Sequence, residues 1–290
     1  MRRLTSIGQP LDMSPNAFGE PRLSNDALDD VPELRRRIAA DGYLFFREFF
    51  GREETIGARR EVVNWLDGGG MLDRGRPVLQ AVAATHASTR IEPEVGKFPS
   101  VRRIMYGGCI MQFYERFLGG TARAYDYIWL RVPSPGQVTG PHCDIIYMGR
   151  GTTNLYTSWV PLGDVLLEHG APLILEGSHR VEKLKTNYGR MDIDRDRNWR
   201  KVRFRHCRFF RGGDYSRNPR AVQRQFGLRW LTTNFFVGDL LVFTAYTMHA
   251  SLDNVSNVIR ISADTRYQLA SEPIDERWIG DNPIGHSQAE

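Results

Sequence analysis

The chain has 290 residues, of which 41% are hydrophobic and 25% charged. That balance excludes a disulfide-stapled miniature and disorder over most of the length. No run nears the roughly 18–20 unbroken apolar residues of a membrane span, because the most apolar stretch, Asn234 to Ala245, is interrupted by Gly238 and Asp239. The net charge of +5 is uneven: twelve basic and two acidic residues between Arg195 and Trp230 leave the remainder at −5, and only four of the 39 basic residues are lysines.

Residues 1–30, rich in Pro, Gly, Ser and Asn, read as an irregular N-terminal arm, followed by a single domain over 31–290. The basic start lacks an apolar core, so it does not read as a secretory signal. Cys109, Cys143 and Cys207 form no even framework and no CxxC, which fits free thiols in the reducing cytoplasm. VPELRRRIAADGYLFFREFF predicts a short amphipathic helix stopped near Gly42, then a short apolar strand. REETIGARREVVNWLDGGG predicts a second helix ended by three glycines. SVRRIMYGGCIMQFYERFLGG predicts another, weakened at Gly107 and Gly108.

After about Thr121 the texture changes. AYDYIWLRV, TNLYTSWVPL, APLILEG, FFVGDLLVFTA and VIRISADTRYQL are short β-branched and aromatic runs separated by turn formers. Helices first and strands second argue against a parallel doubly wound sheet. They predict an α+β fold: an antiparallel jelly roll with helices packed on it. The stretch from about 182 to 228 carries few strand signals and reads as a long basic insertion between two strands.

GPHCDIIYMG places His142 and Asp144 two apart on an expected strand, where alternation turns both to one face and Cys143 away. GDLLVFTAYTMHAS places His249 at the end of an apolar strand. Two neutral imidazoles and one carboxylate make the facial triad of non-heme Fe(II) oxygenases, with three positions open. Arg260 follows on the next strand among Val258, Ile259 and Ile261, and Ser251 shares the His249 strand face. A guanidinium in that setting is expensive to bury unpaired. A dicarboxylate ligand resolves the cost, and so does an internal ion pair with Asp239 or Asp264.

PHCD, the turn EGSHR, GDLLVFTAYTMHAS and Arg260 in IRISADTRYQ together resemble the phytanoyl-CoA dioxygenase family of Fe(II)/2-oxoglutarate enzymes. The resemblance spans roughly residues 30 to 280. It implies a double-stranded β-helix core, with Fe(II) on His142, Asp144 and His249, and the distal carboxylate of 2-oxoglutarate on Arg260 and Ser251. It implies that Trp159 borders the cosubstrate, with Thr157 on the same strand face. Gln137 and Thr139 become polar partners for the metal-bound end of 2-oxoglutarate. His179 belongs to a structural turn, and His86, His169, His206 and His286 are surface or capping residues. O2 is the remaining cosubstrate, and the products are an oxidised substrate, succinate and CO2. Iron halogenases of the family carry a small residue in place of the carboxylate, so Asp144 favours hydroxylation or a related oxidation.

The expected partner is a small-molecule substrate, with no membrane. Lys183, Lys185 and the arginine-rich insertion suggest an anionic one. Trp199, Phe204, Phe209, Phe210 and Tyr215 are interleaved with those charges, and Tyr147, Met148 and Arg150 are further pocket candidates. Two alternatives stand beside this reading. One is a nucleic-acid-binding or nucleic-acid-modifying protein using 195–230, although no nucleic-acid motif accompanies that segment. The other is a non-catalytic jelly-roll protein. No motif encodes an oligomeric state.

Overall fold

Asp30 starts α1 (Val31–Asp41) by accepting the Glu33 N–H at 3.0 Å, with Pro32 in the first turn. Gly42 ends it in the left-handed conformation, φ 87°. A side chain there would also collide with the His179 ring, which is buried against this corner and meets the Ala39 carbonyl at 2.9 Å. The EGSHR turn therefore locks the helix-to-strand junction. The computed structural model describes residues 3–87, 97–195 and 213–286.

The arm before α1 is less irregular than its composition predicts. It holds β1 (Thr5–Ser6) and β2 (Gln9–Pro10), which pair as a hairpin, and β3 (Phe18–Gly19). After α1 come β4 (Tyr43–Phe46) and α2 (Arg52–Gly68). The predicted third helix is two, α3 (Pro99–Tyr106) and α4 (Gly108–Leu118), with an extended Gly107 between them (ψ 168°). Next are β5 (Ala122–Ala124), β6 (Trp129–Arg131), the short turn α5 (Ile145–Met148), β7 (Tyr156–Pro161) and β8 (Pro172–Leu175). The insertion leaves after β8 with α6 (Glu182–Thr186) and returns through α7 (Pro219–Phe226) to β9 (Trp230–Leu231). The chain finishes with β10 (Leu240–Thr244), β11 (His249–Ser251) and β12 (Ser262–Leu269).

The major sheet runs β4-β10-β7-β12-β5, with β6 also on β12. The minor sheet runs β11-β8-β9-β3, all antiparallel except β3 on β9. Period-two alternation divides the major sheet between two cores. Tyr43, Phe45, Leu241 and Phe243 face the minor sheet, with Leu173, Leu175 and Trp230 opposite. Leu44, Phe46, Leu240 and Val242 face the helices, with Val62, Val63, Ile104 and Phe113 opposite. A strand covered on both faces reads as a continuous apolar run, which is how YLFF and LLVF look in sequence. The result is the expected jelly roll with N-terminal helices on one sheet. No helix of the described residues is long and apolar enough to cross a membrane.

Candidate active site

The two sheets converge at His142 and His249. These residues exchange both backbone hydrogen bonds at 2.9 Å as an isolated antiparallel bridge, and their rings lie 4.1 Å apart. The expected strand at 142–144 is not there. Asp144 instead heads α5, whose first N–H, on Ile145, donates to the Ala245 carbonyl at 3.0 Å. The expected strand ending in His249 is also broken. β10 stops at Thr244, a turn joins the Thr247 N–H to the Thr244 carbonyl at 2.9 Å, and His249 opens β11 in the other sheet. The three side chains still meet, with ligand-type atoms all within 4.8 Å of one another.

The neighbours of these side chains select the atoms left over. His142 Nδ1 meets the Gly140 carbonyl at 2.8 Å and His249 Nδ1 meets the Thr247 carbonyl at 3.1 Å. Both rings therefore carry the proton on Nδ1 and keep the Nε2 lone pair. The Nε2 atoms stand 3.9 and 3.7 Å from Asp144 Oδ1. Burial, then proximity to His249, lowers the His142 pKa to about 4. Burial lowers that of His249. Both are neutral ligands at neutral pH. Burial opposes the charge on Asp144, but Arg266, the two imidazoles and the Thr157 hydroxyl outweigh it and hold the carboxyl well below the usual range. Two imidazole nitrogens and one carboxylate oxygen on a buried triangle fit a divalent metal.

A cavity opens beside the triad, lined by Thr139, Trp159, Ser251, Arg260 and Arg266 among others. Arg260 does not sit on a strand as expected; it precedes β12 by two residues and is buried. One of its amino groups donates to the Gly170 carbonyl, while its Nε has no partner. The internal ion pairs open to it in sequence are taken, Asp239 by Arg47 and Asp264 by Arg131 and Arg266. Among the described residues no carboxylate pairs with Arg260. Burial, reinforced by Arg131, lowers its pKa to about 10, so it remains a cation at neutral pH. Ser251 Oγ accepts the Thr139 N–H at 2.9 Å and keeps its own proton to donate.

Other predicted residues separate. Thr157 contacts Asp144 Oδ2 at 2.5 Å, which makes it a partner of the carboxylate. Gln137 is exposed in a turn and its Oε1 accepts the Ser134 N–H at 3.1 Å, so it is not brought to the cavity. Met148 is core, Arg150 pairs with Asp192 at 2.6 Å, Lys183 is exposed, and Lys185 lies over the Tyr246 ring. Tyr147 presents its ring edge-on to His142, with centroids 5.7 Å apart. Cys143 is buried in the core, its Sγ 3.4 Å from the Tyr246 carbonyl. Tyr215 packs on Tyr188 and Phe226. Trp199, Phe204, Phe209, Phe210 and His206 lie outside the described residues. The two flanks of that segment both dock on the loop that carries His142 and Asp144, Ile193 N–H to the Ile146 carbonyl at 3.0 Å and Tyr215 N–H to the Pro141 carbonyl at 2.7 Å.

Sequence reasoning missed Arg131 and Arg266, whose charges abut the triad, and gave Asp264 to Arg260 instead of to them. The available signal was the polar residue at every second position of β12, Ser262, Asp264 and Arg266, between apolar strands. It also missed that the N-terminal hairpin reaches the site: the buried Ser6 hydroxyl donates to the Ser251 carbonyl at 2.7 Å.

The sequence profile of the phytanoyl-CoA dioxygenase family matches residues 114–262, just over half the chain. No protein of curated function matches the sequence. Among solved structures, apo EctD from S. alaskensis superposes with a TM-score of 0.59 at 15% identity, covering 97% of this chain and 93% of that one. The non-heme alpha-ketoglutarate-dependent epimerase SnoN from nogalamycin biosynthesis gives 0.57 at 16% identity, covering 88% and 92%. HygX from Streptomyces hygroscopicus, with nickel and 2-oxoglutarate bound, gives 0.54 at 16%, covering 87% and 89%. At such identities the likeness concerns the fold.

Proposed function

Because the chain belongs to the phytanoyl-CoA dioxygenase family, we propose that it uses Fe(II), 2-oxoglutarate and O2 to hydroxylate, or otherwise oxidise, an unactivated C–H bond of a small organic metabolite. The setting is the cytoplasm and the co-products are succinate and CO2. The observation that carries this reading is one cavity joining the His142–Asp144–His249 triangle, buried but for part of His249, to a buried guanidinium that lacks a carboxylate partner among the described residues. Iron with its cosubstrate supplies the oxidising power, as cofactors generally do.

The chain's own residues do the rest. His142 and His249 offer Nε2, and Asp144 offers Oδ1. Arg260 binds the distal carboxylate of 2-oxoglutarate by a charge-assisted fork, and Ser251 donates a hydroxyl beside it. Trp159 and Thr139 wall the cosubstrate, and the apolar faces of Phe243 and Ile174 exclude water. Asp144 occupies the place where halogenation would need a small residue, which favours C–H hydroxylation. HygX is a neighbour whose structure holds both nickel and 2-oxoglutarate, which supports the same pair of ligands here.

The test is anaerobic addition of Fe(II) and 2-oxoglutarate, followed by oxygen. The expected results are a visible charge-transfer absorption before oxygen and succinate formation after it, both lost in His249→Ala. Absence of both signals from the folded wild-type protein sinks the reading.

A further inference from the structure

Asp144 has two oxygens with different surroundings. Oδ2 accepts from Arg266 Nη2 at 2.7 Å and from the Thr157 hydroxyl at 2.5 Å. A carboxylate oxygen offers two lone-pair sites, so both on Oδ2 are engaged. Oδ1 accepts no hydrogen bond among the described residues and faces the two imidazole Nε2 atoms. Arg266 is itself fixed. It is 1% exposed, its Nη1 donates to Asp264 Oδ2 at 2.6 Å, and its guanidinium carbon lies 4.1 Å from the Trp129 ring centroid. Asp264 is gripped in turn by Arg131, at 2.7 and 3.2 Å.

We propose that Arg266 is a positioning residue that makes Asp144 a one-oxygen metal ligand, at the end of the relay Arg131–Asp264–Arg266–Asp144. This rests on the function proposed above. By engaging Oδ2, Arg266 prevents the carboxylate from taking a second metal position, one that the cosubstrate needs. A planar guanidinium can bridge two carboxylates in this way; a lysine ammonium lacks the fork.

The test uses the full-length protein with Co(II) as probe, by anaerobic calorimetric titration and visible absorption, with circular dichroism to establish folding. Arg266→Gln is expected to weaken Co(II) binding about 10- to 100-fold, the range for partners of metal ligands, and to alter the Co(II) spectrum. Arg266→Lys is expected to fall between it and the wild type. Arg266→Ala is expected to regain affinity on adding millimolar guanidinium, which a merely structural role would not produce. Thr157→Val is expected to shift the spectrum in the same direction by less. A folded Arg266→Gln with wild-type affinity and spectrum overturns the proposal while leaving the proposed function standing. Failure of every Arg266 variant to fold overturns it too, by assigning the residue to the scaffold. Failure of the wild type to bind any divalent metal removes the function and this inference together.

Discussion

Arg260→Met is expected to act in opposite directions on stability and on ligand binding. The guanidinium is buried without a carboxylate partner among the described residues, and burial lowers its pKa from the ordinary guanidinium range to about 10. At 1.36 kcal/mol per unit, holding that cation in the fold costs about 3 kcal/mol. Folded and unfolded states are both protonated at pH 7, so the whole cost is present there. It is relieved only as pH rises above about 10 toward the ordinary guanidinium range. Methionine removes this cost but leaves the Gly170 carbonyl without its donor, a loss of about 1–3 kcal/mol. The apoprotein should therefore be unchanged or up to about 2 kcal/mol more stable in urea titrations. With an inert divalent metal already saturating both proteins, adding 2-oxoglutarate at 100 times its wild-type dissociation constant should stabilise the wild type by a further ~2.7 kcal/mol and the variant by little. A variant that loses several kcal/mol as apoprotein, or that keeps the ligand-induced gain, refutes the argument.

Asp144→Ala is expected to abolish Fe(II)-dependent succinate formation, and chelation of the wild type should do the same with recovery on adding Fe(II); undiminished turnover in the variant removes Asp144 from the site. His142 is buried neutral, with a pKa lowered from 6.5 to about 4, so the unfolded chain binds the extra proton and apoprotein stability should drop as pH falls from 6.5 to 4. A His142→Asn variant should lack that part of the slope; identical pH–stability profiles contradict the burial argument. Ser251→Ala strands the Thr139 N–H and deletes a hydroxyl from the cavity. The 2-oxoglutarate Kd should rise about 10-fold, as a buried hydrogen-bond partner lost costs about 1–3 kcal/mol, with Co(II) affinity unchanged; equal losses of both would place Ser251 in the scaffold instead.

The convergence of His142, Asp144 and His249 was legible in the sequence because the chemistry expected of them depends on residue type and order, while the backbone holding them was not. Ile145, Ile146 and Tyr147 have the β-branched and aromatic composition of a strand, but tertiary packing folds them into a helical turn under Asp144. The run after the Gly238-Asp239 turn, from Leu240 to His249, contains no strong breaker and reads as one strand. The Thr244–Thr247 pair, with hydroxyls 2.8 Å apart, turns the chain from the major sheet to the minor one. Val258 and Ile259 look like the start of β12, yet the Ile259 N–H bonds the Ala81 carbonyl and the Arg260 N–H the Pro133 carbonyl, so the strand starts only at Ser262. Gln137 was drawn toward the site by its nearness in sequence to His142, and a local turn claims it. The charge asymmetry of 195–230 was plain from composition, but composition carries no direction, and its basic neighbours Arg150 and Lys185 proved to be engaged elsewhere.

The charges at the site explain why metal and cosubstrate belong together. Arg131, Arg260 and Arg266 bring three positive charges to a cavity where Asp144 and Asp264 supply two negative ones and both imidazoles are neutral. A divalent cation alone raises that excess to about three in a setting where burial already penalises Arg260. A dicarboxylate alone reverses it. Bound together they restore the starting balance, so each lowers the electrostatic cost of the other, and by linkage the factor by which 2-oxoglutarate tightens the metal equals the factor by which the metal tightens 2-oxoglutarate. The proposed Arg131–Asp264–Arg266–Asp144 relay fits this balance. It counters the carboxylate charge through Oδ2 and leaves Oδ1 facing the imidazoles.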